Sequence, residues 1–119
     1  ILVIDDEEPV RIAVADILES EGLTVLGAAD GERGLEVYRE HQAAIDLVLL
    51  DLSMPGLNGE ETFHRLRQIN PAVRVVLSSG YNQTEVVRRF GEHGYIGFIQ
   101  KPYDDTQLLG ELRRHLRQA

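Results

Sequence analysis

The residues of this sequence best suited to chemistry are acids that directly follow apolar runs. Asp51 follows the run Leu47 to Leu50 and precedes a segment rich in proline and glycine, and Asp5 and Asp6 follow the first apolar run. Two carboxylates about 4 Å apart repel by about 4 kcal/mol at an effective dielectric near 20, so such a group requires a cation or a proton. Oxygen ligands of this kind favour Mg²⁺, which prefers one or two carboxylates plus phosphoryl oxygens and water.

Each acidic segment also has a simpler structural interpretation. Asp5 and Asp6 precede Pro9 and an apolar helical pattern, where acids cap a helix and complement its dipole. Asp51 could be a solvated loop carboxylate beside proline and glycine. The helix explanation for Asp5 and Asp6 does not extend to Asp51, which follows a different run.

Two further candidates, Ser79 and Lys101, follow later apolar runs. A carboxylate nucleophile beside a divalent cation, an ammonium and a hydroxyl is what an acyl-phosphate site requires. Asp51 would attack phosphorus, Lys101 and the metal would neutralise the phosphoryl oxygens, and Ser79 would donate to one of them. Taken singly, Lys101 is explained as a solvated loop lysine and Ser79 as a turn residue.

The elements that must position these residues are predicted from hydrophobic patterning. Several apolar runs are continuous, which is typical of strands buried on both faces. The predicted strands are 1–4, 23–28, 47–50, 73–77 and 96–99. Five helices are predicted from apolar stripes: Val10, Val14, Ile17 and Leu18; Leu35 and Tyr38; Phe63, Leu66 and Ile69; Val86, Val87 and Phe90; Leu108, Leu109, Leu112 and Leu116.

The alternation of strands and helices predicts one α/β domain over residues 1–119, built on a doubly wound parallel sheet of five strands. Asp104 or Asp105 is expected to cap the last helix. Ligands of such sheets bind outside the carboxyl ends of the strands. The candidate acids, hydroxyl and amine all follow strands and therefore meet at one rim.

Composition narrows the function class. The 119 residues include 12 Lys+Arg and 20 Asp+Glu, a net charge of −8, which argues against nucleic acid or an anionic membrane as a partner. The absence of cysteine excludes disulfides and thiolate metal sites and agrees with a reducing compartment. No membrane span or signal-peptide pattern occurs, so we expect a cytoplasmic domain that does not insert into a membrane. Because the chain opens inside a strand without Met, we expect it to be part of a longer protein.

With its motifs taken together, the sequence resembles the response-regulator receiver domains of two-component signalling over essentially its whole length. The motifs, in chain order, are Asp5-Asp6, Asp51 with Met54-Pro55-Gly56 and Gly59, Ser79-Gly80, and Lys101-Pro102. The resemblance implies a flavodoxin-like fold with strand order 2-1-3-4-5. It also implies a role in phosphorelay signal transduction.

The resemblance assigns a role to each site residue. Asp51 would be phosphorylated by a phosphohistidine on a histidine kinase or a histidine phosphotransfer domain. Mg²⁺ would be held by the side chains of Asp6 and Asp51 and the main-chain carbonyl of Ser53, with Asp5 acting through water. Lys101 would pair with the phosphoryl group, and the bond from Lys101 to the following proline is expected to be cis.

Ser79 and Phe98 occupy the positions of the family's conformational switch. Phosphorylation would draw Ser79 towards the phosphoryl oxygen, let Phe98 turn inward, and change the face formed by helix 4, strand 5 and helix 5. The family commonly has Tyr at the aromatic position, and Phe lacks its hydroxyl. Phe98 is also explained as an edge-strand aromatic that does not move.

Ser53 and Tyr81 flank the path of the water that would hydrolyse the phosphoryl group. Ser53 is short, and Tyr81 is bulky enough to shield the phosphorus, so we expect slow self-dephosphorylation. The domain would thus catalyse its own phosphorylation and its slow reversal without being a conventional enzyme. The segments 78–81 and 98–103 resemble receivers at the C-terminal end of hybrid sensor histidine kinases.

Two other functions share part of this pattern of residues. A phosphatase of the haloacid-dehalogenase type also uses an Asp nucleophile with Mg²⁺, but it needs a second Asp two residues later, where this chain has Ser53. A phosphate-independent interaction module with the same fold usually lacks one of the acids or the lysine. This sequence retains Asp5, Asp6, Asp51 and Lys101.

Overall fold

A computed structural model describes residues 1–52, 59–90 and 94–116, apart from the side chains of Gln83, Arg89 and Phe90. The strands are β1 (Leu2–Ile4), β2 (Leu26–Ala28), β3 (Val48–Asp51), β4 (Val75–Ser79) and β5 (Gly97–Gln100). The helices are α1 (Glu8–Ser20), α2 (Gly31–His41), α3 (Gly59–Ile69), α4 (Gln83–Phe90) and α5 (Asp105–His115), with a short 3₁₀ turn at Gln42–Ala44. No helix in the described ranges has the length and apolar character of a membrane span.

The five strands form one sheet in the order β2-β1-β3-β4-β5, and all of its pairings are parallel. This confirms the predicted doubly wound architecture and strand order. Parallel strands place all their carboxyl ends at one edge, so residues that follow β1, β3, β4 and β5 share that edge.

Helices cover both faces of the sheet because successive strand residues point to opposite sides. On one face, α1 and α5 bury a cluster that includes Val3, Leu18, Leu49 and Leu112. On the other face, α2 and α3, with Val86 of α4, enclose the larger cluster. Its buried members are Leu2, Ile4, Ala28, Leu35, Val37, Tyr38, Val48, Leu50, Phe63, Leu66, Val73, Val75, Leu77 and Val86.

The helix boundaries follow local signals. Asp104 caps α5 in a capping box with Gln107. This confirms Asp104 as the cap, one of the two residues predicted for that role. Asp30 caps α2 by accepting a hydrogen bond from the Arg33 amide. After α1, Gly22 adopts a φ of 83°, a left-handed conformation that glycine reaches without the steric cost of a Cβ.

Two predicted strand ranges are wrong by more than one residue at an end. The prediction for the second strand began at 23, but only Leu26–Ala28 pair, because β1 offers just three residues as partners and the Leu23 amide instead bonds the end of α1. The fourth strand begins at Val75 and runs on to Ser79, since β3 and β5 supply partners up to that residue. The first predicted range begins one residue early, and the third and fifth each begin and end one residue early.

Two tyrosine hydroxyls lie in the interior, and they differ in whether a hydrogen-bond partner is present among the described residues. The Tyr38 hydroxyl accepts a 2.9 Å hydrogen bond from the side-chain amide of Asn70. The Tyr103 hydroxyl is buried and has no hydrogen-bond partner within the described part of the chain. Removing a satisfied buried hydroxyl and removing an unsatisfied one should therefore change stability differently.

We predict that Tyr38→Phe lowers the free energy of unfolding by about 1 kcal/mol, because the Asn70 amide loses its partner. Tyr103→Phe should leave that free energy unchanged or raise it, since no hydrogen bond is lost. Urea unfolding at pH 7 measures both variants. A greater loss for Tyr103→Phe than for Tyr38→Phe would contradict this assignment.

Candidate active site

The site begins with the register of β1 and β3. Ile4 and Leu50 are partners across the two parallel strands, so the next residues, Asp5 and Asp51, emerge side by side at the carboxyl edge. Each is only 2 % exposed. Asp6 is exposed, yet its carboxylate lies within 4.8 Å of ligand oxygens of both other acids. The structure thus brings together the three acids that the sequence predicted.

Asp5 is held at all of its polar atoms. Its amide donates to the Ala28 carbonyl at 3.1 Å, and its carbonyl accepts from Arg11 Nη1 at 2.7 Å. Its Oδ1 accepts from the Glu7 amide at 2.9 Å, and its Oδ2 lies 2.9 Å from Lys101 Nζ. Asp5 is therefore a structural centre of the site rather than an open ligand.

Neither Asp5 nor Asp6 occupies the cap position of α1 in the structure. Glu7 is the residue before the first turn of α1, and it makes no side-chain cap. Asp5 instead bonds the Glu7 amide, which turns the chain between β1 and α1. This turn leaves Asp6 at the tip of the loop.

Lys101 is the positive charge that makes this acidic group tolerable. Its Nζ lies 2.9 Å from Asp5 Oδ2, 3.4 Å from Asp51 Oδ2 and 3.7 Å from Glu7 Oε1. Burial alone would lower the pKa of Lys101, but the hydrogen bond to Asp5 and the charges of Asp51, Asp5 and Glu7 outweigh it and raise the pKa above its ordinary value. The ammonium is thus charged throughout the neutral range.

The backbone of β4 and β5 brings Lys101 to this position. Ser79 pairs with Gln100 across the two strands, and the Lys101 amide donates to the Ser79 carbonyl at 2.7 Å. The Lys101-Pro102 peptide bond is cis, which confirms the expectation drawn from the sequence. The lysine that follows β5 therefore reaches across β4 to the acids of β1 and β3.

Ser79 is fully buried at the end of β4, next to the strand that carries Asp51. Its Oγ accepts a 3.0 Å hydrogen bond from the Tyr81 amide, which uses a lone pair and leaves the hydroxyl proton for donation. The Tyr81 side chain is 50 % exposed. Phe98 is partly exposed on the edge strand β5 and packs against the larger core cluster.

Ser53, predicted as both a metal ligand and a lifetime residue, lies outside the described residues. The loop that contains it ends at Gly59, where α3 begins against the end of β3. A Cβ at Gly59 would lie 2.5 Å from the Asp51 carbonyl oxygen, so only glycine allows this close approach.

The donor set at the rim fits a hard divalent cation. Ligands on opposite sides of Mg²⁺ lie about 4.2 Å apart, because each bond is about 2.1 Å long. Oxygens of Asp6 and Asp51 lie within 4.8 Å of one another, which is close enough for small side-chain rotations to bring both onto one ion, with Asp5 beside them. All three groups offer oxygen and none offers nitrogen or sulfur, which favours Mg²⁺ over a transition metal.

Two residues near the site were not found by sequence reasoning. Arg11 contacts the Asp5 carbonyl from α1, and its only sequence signal is its position one helical turn after Glu7. Tyr103 lies near the acids. Burial and then the charge of Asp5 raise the pKa of Tyr103 to about 12, although Lys101 acts in the opposite direction.

The comparisons with known proteins agree with this geometry. The family described as the response regulator receiver domain matches residues 1–113. The chain is 28 % identical over 116 residues to sporulation initiation phosphotransferase F of Bacillus subtilis (strain 168), covering 98 % of this chain and 92 % of that protein.

Two further relatives differ in length. The chain is 31 % identical over 116 residues to sensor kinase CckA of Brucella abortus (strain 2308), which covers 98 % of this chain but only 12 % of that protein. Among solved structures, a chain of the CheX-CheY-BeF3-Mg²⁺ complex from Borrelia burgdorferi superposes with a TM-score of 0.88 and 29 % identity. That similarity covers 95 % of this chain and 85 % of the other.

The raised pKa values of Lys101 and Tyr103 predict an alkaline loss of stability. In both cases the folded state keeps a proton that the unfolded chain releases near pH 10, so their contribution is complete below about pH 10 and is lost as pH rises through the folded values. The free energy of unfolding should therefore fall above pH 10.

Urea titrations between pH 9 and pH 11 test this prediction. We expect a shallower fall for Tyr103→Phe than for the wild type, and likewise for Lys101→Met. Parallel curves for the wild type and both variants would show that neither group contributes.

Proposed function

Because the chain belongs to the response regulator receiver domain family, we propose that Asp51 is its phosphoacceptor in two-component phosphorelay signalling. The observation that carries the proposal is one contact group: a carboxylate that is 2 % exposed, 3.4 Å from a charged lysine and beside two further acids. Burial removes competing water from Asp51, and the lysine offsets the charge that a phosphoryl group brings.

In the proposed reaction, an Asp51 carboxylate oxygen attacks the phosphorus of a phosphohistidine. A P–O bond forms, the P–N bond breaks, and the electron pair of that bond returns to the imidazole. Lys101 is already between Asp5 and Asp51, so a small movement of Nζ pairs it with a phosphoryl oxygen. The Ser79 hydroxyl, one residue beyond the partner of Asp51 in β4, donates to another.

The side chains of Asp6 and Asp51 and the carbonyl of Ser53 would hold Mg²⁺, with Asp5 acting through water. Bound Mg²⁺ supplies charge neutralisation for the acids and the phosphoryl oxygens. Asp6 suits direct ligation because its carboxylate is exposed, whereas both Asp5 oxygens already have partners. The Borrelia burgdorferi complex, which contains Mg²⁺ and BeF3, supports the same choice of ion.

We further propose that phosphorylation acts through Ser79 and Phe98. Ser79 would turn its hydroxyl towards the new phosphoryl group, giving up the hydrogen bond that it accepts from the Tyr81 amide. Space beside β4 would then admit the Phe98 ring, which is partly exposed on the neighbouring strand. The face of α4, β5 and α5 would change shape as a result.

The phosphoryl donor is proposed to be a histidine kinase or a histidine phosphotransfer domain. The match to only 12 % of sensor kinase CckA supports a receiver carried within a longer hybrid kinase, and the match to 92 % of the Bacillus phosphotransferase supports a separate relay protein. For either alternative we propose a cytoplasmic location, because a histidine kinase obtains its phosphoryl group from ATP.

We predict that acetyl phosphate with Mg²⁺ adds one phosphoryl group to the wild-type chain and none to Asp51→Asn. Lys101→Met should slow the reaction by about 10²-fold, since one charged group that contacts the phosphoryl oxygens is lost. Intact mass spectrometry measures the extent and the initial rate.

A matched pair of acids tests the metal assignment in the same assay. Asp6→Ala should raise the Mg²⁺ concentration needed for half-maximal rate, whereas Glu8→Ala, an exposed acid on α1, should leave it unchanged. Full phosphorylation of Asp51→Asn would refute the proposed acceptor. Equal effects of Asp6→Ala and Glu8→Ala would refute the proposed ligand set.

The lifetime of the phosphorylated state gives a separate prediction. Tyr81 is half exposed beside Ser79, and we expect its ring to slow the approach of water to the phosphorus. The double variant Ser53→Asn, Tyr81→Glu should lose phosphate about tenfold to 10²-fold faster than the parent at saturating Mg²⁺. Tyr81→Phe keeps the ring and should decay at the parental rate. A double variant that decays no faster would refute the shielding role.

A further inference from the structure

Asp6 lies between two residues whose backbones are held by specific contacts. On one side, the Asp5 amide and carbonyl bond Ala28 and Arg11; on the other, the Glu7 amide bonds Asp5 Oδ1. The Asp6 side chain itself has no hydrogen bond or ion pair to any described residue. Its direction is therefore set by its neighbours.

Among the contacts that hold Asp5 and Glu7, Arg11 is the charged side chain that a helix contributes. Its Nη1 donates to the Asp5 carbonyl at 2.7 Å, and its Cδ lies 3.8 Å from where a Cβ at Gly27 would be. The stem of Arg11 thus passes over the edge strand β2 at a position without a side chain. The helix, the edge strand and the acidic loop are joined by this one residue.

Helix stability does not explain an arginine at this position. Arg11 is the fourth residue of α1, near the end where the helix dipole disfavours positive charge. No ion pair of Arg11 occurs within the described ranges, although Glu7 and Glu8 are close in sequence. Its hydrogen bond is made to the main-chain carbonyl of Asp5 and not to a carboxylate. The contact therefore holds the backbone in place and does not neutralise a charged side chain.

We propose that Arg11 is a positioning residue that holds the Asp5–Glu7 turn so that the Asp6 carboxylate faces the cation site. The inference rests on the proposed function, because it concerns the same Mg²⁺ site. Arg11 does not touch the metal or the phosphoryl group. It acts through the Asp5 backbone.

The sign of one measurement separates positioning from electrostatics. Arg11 is a positive charge near a cation site, so if charge were its only influence, its removal would strengthen Mg²⁺ binding. If Arg11 positions Asp6, its removal weakens Mg²⁺ binding, because the ligand must first be ordered. The two effects have opposite directions.

The experiment is calorimetric Mg²⁺ titration of the wild type, Arg11→Gln, Arg11→Lys and Arg33→Gln. We expect Arg11→Gln to raise the Mg²⁺ Kd by about tenfold, which is the lower end of effects seen for residues that orient metal ligands. Arg11→Lys, which can still donate to the Asp5 carbonyl, should restore most of the affinity. Arg33→Gln removes a charge from an exposed ion pair with Glu36 on α2 and should bind Mg²⁺ as the wild type does.

Hydrogen exchange in the absence of Mg²⁺ gives a second readout. The Glu7 amide should exchange faster in Arg11→Gln than in the wild type, since its acceptor, Asp5 Oδ1, is less well held. Arg11→Lys allows the comparison to be made even if Arg11→Gln does not fold.

Each result decides the question. Unchanged or tighter Mg²⁺ binding by a folded Arg11→Gln, or an Arg11→Lys variant as weak as Arg11→Gln, would overturn the positioning role while leaving the metal site intact. Absence of Mg²⁺ binding by the wild type would overturn the metal assignment of the proposed function and this inference with it.

Discussion

The confinement of like charges between adjacent strand ends is the constraint on which the rest of this structure depends. The parallel register of β1 and β3 brings Asp5 and Asp51 into neighbouring positions, and the core on both faces removes them from water. Such a pair is tolerable only with a compensating cation, and Lys101 provides it from the end of β5, two strands from β3 and three from β1. Because the compensating group is an ammonium on a flexible stem, a small movement of Nζ would let it pair with an added anion as well.

Two consecutive aspartates acquire different roles from this arrangement. Asp5 is buried and bonded at every polar atom, so it organises the turn, while the exposed Asp6 side chain has no partner among the described residues and is available to a ligand. The difference arises from the alternation of the strand and the turn that follows it, not from the side chains, which are identical. A site of this kind combines a rigid base with an open coordination position.

The site also shows where stability and function conflict. The rim contains buried acids, a lysine held among three carboxylates and a Tyr103 hydroxyl with no hydrogen-bond partner among the described residues. These groups are less favourable there than apolar side chains would be. Ligands that bind only the folded state recover part of this free energy, because binding and folding are linked. The large apolar clusters on both faces of the sheet supply the stability that allows such an arrangement.

Sequence alone determined the order of strands and helices along the chain, because continuous apolar runs are local features. It also determined the sheet edge at which Asp5, Asp6, Asp51, Ser79 and Lys101 lie, because each of them follows or ends such a run. Strand ends were predicted less well, since the length of a ladder depends on its partner: β2 stops at three residues because β1 has only three to offer. Tertiary structure alone decided that Asp5 is saturated and Asp6 open, and that Arg11 reaches the Asp5 carbonyl across Gly27. It also decided that the Tyr38 hydroxyl has a hydrogen-bond partner, whereas the Tyr103 hydroxyl has none in the part of the chain that the structure describes. Each of these depends on contacts between residues distant in the chain, for which hydrophobic period and spacing carry no signal.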